Sequence, residues 1–150
     1  MTKTLTTEID IAAPPQRVWQ VLSDLSAYGE WNPFIVEATG RAAVGGRLTL
    51  RMQPASGKER TLRPTVTEVR EGELLRWVGR LPLPGLMDVE HTFRLEPTGN
   101  GTRLHQGEDF RGLLVPLVAR TLDRGTLPAF EAMNEALKRR VEESMSSQRG

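Results

Sequence analysis

The chain has no cysteine among its 150 residues, which excludes disulfide staples, thiolate nucleophiles and cysteine-ligated metals. An excess of one charge is missing too. Twenty basic and nineteen acidic side chains leave a formal net charge of +1, too little for the phosphate attraction that announces a nucleic-acid binder. No stretch approaches the ~20 apolar residues of a membrane span, and the opening MTKTLTTEIDIAAPP lacks the apolar centre of a secretory signal. These absences lead to the expectation of a cytoplasmic protein without nucleic-acid partners or stable membrane insertion. Enzymatic signatures are also wanting: no GxSxG occurs, and the glycines of AVGGR and TGNGT fit neither a P-loop nor a dinucleotide fingerprint. His91 and His105 fall on adjacent predicted strands with opposite inferred parity, so neither a metal site nor a cofactor is expected.

What is present is an ordinary globular mixture, 38% hydrophobic and 26% charged, long enough for one domain spanning residues 1–150. Leu5, Ile9 and Ile11 alternate with Glu8 and Asp10, the signature of a half-buried strand. Pro14 and Pro15 suit a first helical turn, and Val18, Trp19, Val21, Leu22 and Leu25 follow at helical spacing. Asp24 or Ser26 can cap a second short turn before Asn32-Pro33 ends helix.

From FIVEAT onward six strands are predicted, separated by glycine- and proline-bearing loops, among them AVGG, PASGK and LPLPG. RTLRPTVTEVR counts as one of the six. DVEHTFRLEP and TRLHQGEDF flank TGNG, a hairpin signal in which glycine and asparagine supply positive φ. Helical spacing returns from Leu113 to about Glu143, with Phe130, Met133, Leu137 and Val141 on one face, interruptions at Gly125 and Pro128, and a frayed tail SMSSQRG. Seven short-connected strands and one long amphipathic helix imply an α+β fold, an antiparallel sheet covered on one face by that helix. A curved sheet so covered leaves room for a ligand cavity, ordinarily ~300–1,000 Å³.

APPQRVWQVLSDLSAYGEWNPFI, GGRLTL, LRWVG, HTFRLEPTGNGTRL, EDFRGLL and FEAMNEALKRRVEE, in that order, resemble the polyketide cyclase/dehydrase branch of the START-related (SRPBCC) superfamily. The likeness runs from about residue 3 to residue 145. It implies the helix-grip fold, a seven-stranded antiparallel sheet wrapped on a long C-terminal helix, with a deep apolar pocket between them. It also implies a hydrophobic ligand such as a lipid, hormone, quinone or polyketide, and in some members aromatase or cyclase activity. No fixed catalytic motif comes with it. Relatives that serve as chaperone activators or toxin-like proteins keep a protein-interaction role open, as a monomer or homodimer.

Strand parity nominates the pocket residues. Val89, His91, Phe93 and Leu95 share one face of DVEHTFRL, and Leu104, Gln106, Glu108 and Phe110 share one face of the partner strand. If Leu95 opposes Leu104, antiparallel register sets Phe93 against Gln106 and His91 against Glu108; a two-residue slip would give His91 to Gln106. His91 with Glu108 can be a satisfied core pair, a ligand-orienting pair or a general acid/base pair for moving protons at a carbonyl. Leu50 and Met52 share an inward parity, Trp77 is a core or pocket wall, and Phe130 and Met133 are placed to roof the cavity. Leu113 and Leu117, in LLVPLVA, are taken as lining beside it. Trp19 reads as a helix anchor, whereas Trp31 and Phe34 stand where helix yields to strand, a junction the resemblance puts at the pocket mouth.

Overall fold

The computed structural model describes residues 2–80 and 85–149. The proline-stiffened connection expected at LPLPG therefore lies, for residues 81–84, outside the described residues. In chain order the elements are β1 (Thr2–Ile11), α1 (Pro15–Leu22), a 3-10 turn (Leu25–Glu30), β2 (Ile35–Thr39), β3 (Thr49–Met52) and β4 (Arg60–Leu62). Then come β5 (Thr65–Arg70), β6 (Leu74–Arg80), β7 (Asp88–Thr98), β8 (Gly101–Arg111), α2 (Val115–Thr121), a π-helical segment (Leu122–Thr126) and α3 (Leu127–Arg149).

The strands form two antiparallel sheets, β1-β8-β7-β6-β5 and β2-β3-β4. Among the described residues there are eight strands where seven were expected, and Pro64 is the cause. It has no N–H for a ladder, so RTLRPTVTEVR breaks into β4 and β5, and its carbonyl instead accepts the Leu48 N–H at 2.8 Å. A bridge between Arg47 and Thr65 and the bond from Val66 N–H to the Gly46 carbonyl keep the two sheets joined as one bent surface.

The long helix crosses the concave side. Phe130, Met133, Leu137 and Val141, three or four residues apart, are all fully buried, the single apolar stripe that a helix over a sheet requires. The interruption expected at Gly125 and Pro128 takes the form of the π segment, after which Pro128 sits in the first turn of α3. α3 does not stop before the serine-rich tail. It runs on to Arg149, with the Ser144 and Ser147 hydroxyls donating back to the Val141 and Glu143 carbonyls.

Two local expectations change. In the β7–β8 hairpin neither Gly99 nor Asn100 has positive φ; the glycine needed is Gly101, where a Cβ would collide with the Ile11 carbonyl oxygen. Asp24 precedes the 3-10 turn but accepts from the Ser26 hydroxyl rather than from a backbone N–H. α1 is instead tied down by its buried side chains Val18, Trp19 and Leu22, and by the Tyr28 hydroxyl, which donates to the Leu22 carbonyl at 2.5 Å. Burial holds that phenol far above its usual titration range.

α3 is fastened to the end of β1 by Glu142, which accepts the Ala12 N–H at 2.9 Å and pairs with Lys138 at 2.6 Å. The Ala12 bond first, then Lys138, lowers the Glu142 carboxyl below its usual value. Because the folded-state value is the depressed one, this contribution is present above the unfolded carboxyl range and vanishes as pH falls through the folded value. Glu142→Gln is thus expected to lower stability at pH 7 by about 0.5–1 kcal/mol, modest because the pair is partly solvated. Urea melts at pH 7 and pH 3 check this; the gap should close at the lower pH.

Candidate functional site

The β7–β8 hairpin builds the polar centre. Its register sets Leu95 against Leu104, Phe93 against Gln106 and His91 against Glu108, so period-two alternation turns these side chains to the concave face. His91 is wholly buried and Glu108 only 5% exposed. The two candidate partners of His91 are both used: Nδ1 lies 2.5 Å from Glu108 Oε2, and Nε2 lies 3.0 Å from Gln106 Oε1. Gln106 continues the network, donating to Asn134 Oδ1 at 2.6 Å and to the Phe130 carbonyl at 3.4 Å. Asn134 donates to Thr7 Oγ1 at 2.8 Å, and Thr7 donates to the Gln106 carbonyl at 3.0 Å.

Aromatic rings enclose the imidazole. Trp77 stacks on it at 5.1 Å, Phe93 lies tilted at 4.6 Å, and Phe130 meets it edge-on at 5.0 Å. Such walls keep water out and strengthen every polar contact inside. His105, on the outward parity, instead lies between Glu96 at 2.8 Å and Glu8 at 3.5 Å. Its hydrogen bond lowers the carboxyl of Glu96. Among the described residues no cluster of histidine and carboxylate side chains has the makings of a metal site.

Beside the polar centre lies a cavity of about 140 Å³. Phe34, Met52, Leu62, Val89, Phe110 and Leu122 give it apolar walls, Glu108 is its acidic group, and the exposed Lys58 and Arg60 stand at its edge. Its volume is below the range expected of a drug-sized pocket and close to the ~150 Å³ that admits one benzene ring. A larger depression of about 490 Å³ beside Thr6, Glu8 and His105 lies on the solvent side of the sheet, with mixed polar lining and without enclosing walls.

The π segment shapes one wall. Such bulges recur at functional sites because the extra residue swings the helix face. Here Thr121, Leu122, Gly125 and Thr126 turn toward the cavity. Gly125 also lets the β3–β4 loop close on the helix: its carbonyl accepts the Ala55 N–H at 3.0 Å, and a Cβ there would crowd the Ser56 carbonyl.

A family model described as polyketide cyclase/dehydrase and lipid transport matches residues 2–142. The chain belongs to that family. Its fold is that of START-like proteins with known structures. The Zhui aromatase/cyclase from a Streptomyces species superposes with a TM-score of 0.80 at 16% identity, covering 97% of this chain and 96% of that one. Norcoclaurine synthase from Thalictrum flavum, a point mutant in complex with a transition-state analogue, gives 0.76 at 18% identity, with 97% of each chain covered. A START superfamily protein from Mycobacterium smegmatis gives 0.72 at 22% identity over 93% of this chain and 97% of that one. These identities establish the shared fold alone. No curated protein sequence matches the chain. Among the described residues no helix is long and apolar enough to cross a membrane.

Within this family fold the nominated residues divide. Phe34, Met52, Glu108 and Phe110 line the cavity. Leu50, Trp77, Phe93, Phe130 and Met133 are fully or almost fully buried core residues outside its lining, and His91 and Gln106 stand behind Glu108. Leu113 and Leu117 are not lining at all, being 77% and 79% exposed. On α2, Leu117 lies two residues and so roughly 200° round from the buried Val115, while Leu113 stands in the turn before that helix. Trp31 is not at the mouth either. Asn32 Oδ1 accepts the Phe34 and Ile35 N–H groups, turning Phe34 inward and leaving Trp31 half-buried, edge-on to Tyr28 at 5.1 Å. Val89, set on the inward face by its parity with His91, lines the cavity as well. Leu62 and Leu122 were not anticipated, Leu122 because it belongs to the π segment.

Proposed function

We propose that this protein is a carrier or sensor that binds a small hydrophobic molecule in the cavity between the bent sheet and the helical segment, with residues 1–150 acting as one binding domain. The observation that carries the proposal is a partly enclosed, mainly apolar hollow with one carboxyl group on its wall and an opening at Lys58 and Arg60. Its volume favours a ring-sized portion of the ligand inside, any longer tail leaving past Lys58 and Arg60. The family description, which joins cyclase/dehydrase activity with lipid transport, agrees with a hydrophobic ligand without choosing carriage or turnover.

A second reading, cyclase- or dehydratase-like catalysis, is favoured by the 2.5 Å contact between His91 and the cavity-lining Glu108. In it Glu108 is the group that meets the ligand and His91 a positioning residue, since a histidine so enclosed touches no guest.

A panel of small hydrophobic compounds followed by native mass spectrometry and thermal shift tests the binding proposal. Val89→Phe, which fills the cavity from its wall, should abolish the shifts seen with the wild type. Equal binding by both proteins would place the ligand elsewhere and end the proposal.

A further inference from the structure

The hydrogen-bond network has a direction, which fixes where its hydrogens lie and leaves one Glu108 oxygen outside it. Two of its members are backbone carbonyls, which only accept. Thr7 donates to the Gln106 carbonyl, so its oxygen must accept from Asn134, and the Asn134 carbonyl oxygen then faces the Gln106 amide. The Phe130 carbonyl, on the same side as that amide, demands a donor as well. Gln106 therefore turns its NH2 to these two acceptors and its oxygen to His91 Nε2.

An oxygen facing Nε2 requires that nitrogen to carry hydrogen. Reversing the whole chain would set two carbonyl oxygens against each other at Phe130 and deprive the Gln106 carbonyl of its threonine donor. It would also remove a proton from the buried pair, leaving a carboxylate beside a neutral imidazole in apolar surroundings, a costly arrangement. Nε2 thus stays protonated, and one further proton is held between Nδ1 and Glu108 Oε2. Whichever atom holds it, Oε2 is committed to His91. Glu108 Oε1 has no protein partner among the described residues, and Glu108 lines the cavity.

We infer that Glu108 presents a hydrogen-bond acceptor to the cavity, so that the site selects a ring-sized apolar ligand bearing a hydroxyl or N–H donor and discriminates against ethers and carbonyl heads. Thr7, Asn134 and Gln106 are positioning residues for this polarity. The ligand preference rests on the binding proposal above; the polarity of the network does not.

Two measurements separate them. Long-range 15N–1H correlation spectra of the histidine-labelled protein at neutral pH should show His91 Nε2 protonated, and still protonated in Asn134→Asp, whose carboxylate can only accept from Gln106. An unprotonated, acceptor-type Nε2 in the wild type would overturn the polarity. Titration with phenol and with toluene, nearly identical in shape, should favour phenol by about tenfold, with shift changes at the methyl groups of Met52, Met87 and Leu122. Anisole and benzaldehyde should bind no better than toluene. Equal or tighter binding of toluene, anisole or benzaldehyde would overturn the donor preference. Silence from all four, with Nε2 protonated, would sink cavity binding and the ligand preference together while leaving the network's direction intact.

Discussion

His91→Ala is expected to lower the unfolding free energy by about 3–5 kcal/mol, the usual cost of stripping one member from a buried ionisable pair. The imidazole is held at 2.5 Å by Glu108 and at 3.0 Å by Gln106, and rings from Trp77, Phe93 and Phe130 pack on it. Removing it strands a carboxyl and an amide oxygen in apolar surroundings and opens a void among those rings. Both effects act in the same direction. Urea unfolding measures the loss. The diagnostic comparison is His91→Ala/Glu108→Leu, in which no unpaired carboxyl remains. It should be more stable than His91→Ala alone, since an apolar replacement of both partners avoids the desolvation that a single deletion exposes. A loss under about 1 kcal/mol for the single variant would mean that the pair is solvated and not the closed unit described above.

Phe130→Ala is the other change with a large expected effect, again about 3–5 kcal/mol. Phe130 is fully buried, meeting Phe34 edge-on at 5.5 Å and His91 at 5.0 Å. It separates the cavity wall at Phe34 from the polar centre behind. Truncation should therefore merge the natural hollow with new space, so the variant, though less stable, should accept larger hydrophobic guests than the wild type does. Ligand then returns part of the lost stability in proportion to its concentration over Kd. Thermal melts of both proteins with naphthalene-sized and benzene-sized compounds decide it. A larger guest that raises Tm in the wild type and the variant alike would show that Phe130 does not bound the site.

The hairpin and the helix stripe were legible in the sequence because each depends on a local period. Alternation from Val89 to Leu95 and from Leu104 to Phe110 turned His91, Gln106 and Glu108 inward, and Leu95 against Leu104 set the register. Spacings of three and four did the same for Phe130, Met133, Leu137 and Val141. What escaped depends on breaks in those periods. Pro64 divided one strand into two, the π segment rotated Leu122 inward, and Leu113 with Leu117 ended on the solvent side although their stretch is apolar. Asn134 and Thr7 escaped for a different reason. Their bond joins residues 127 positions apart, and no local pattern marks a polar residue on a helix as the end of a network beginning on another strand. The cavity's size was hidden too, since it depends on how completely the rings around His91 fill the concave face.

The split between Glu108 at the wall and His91 behind it bears on both functional readings. A carrier needs one oriented polar contact amid apolar walls, and an enzyme of this design needs a proton-bearing group whose partner is shielded from solvent. The same constellation meets both needs, and both require the polar end of a bound guest to lie against Glu108.

The most direct test is a crystal structure of the protein soaked with phenol. The account predicts ring density bounded by Phe34, Val89, Phe110 and Leu122, with the hydroxyl about 2.7 Å from Glu108 Oε1, the usual O–H···O separation. A cavity closed by side chains, or a ring bound there with its hydroxyl turned away from Glu108, would contradict it.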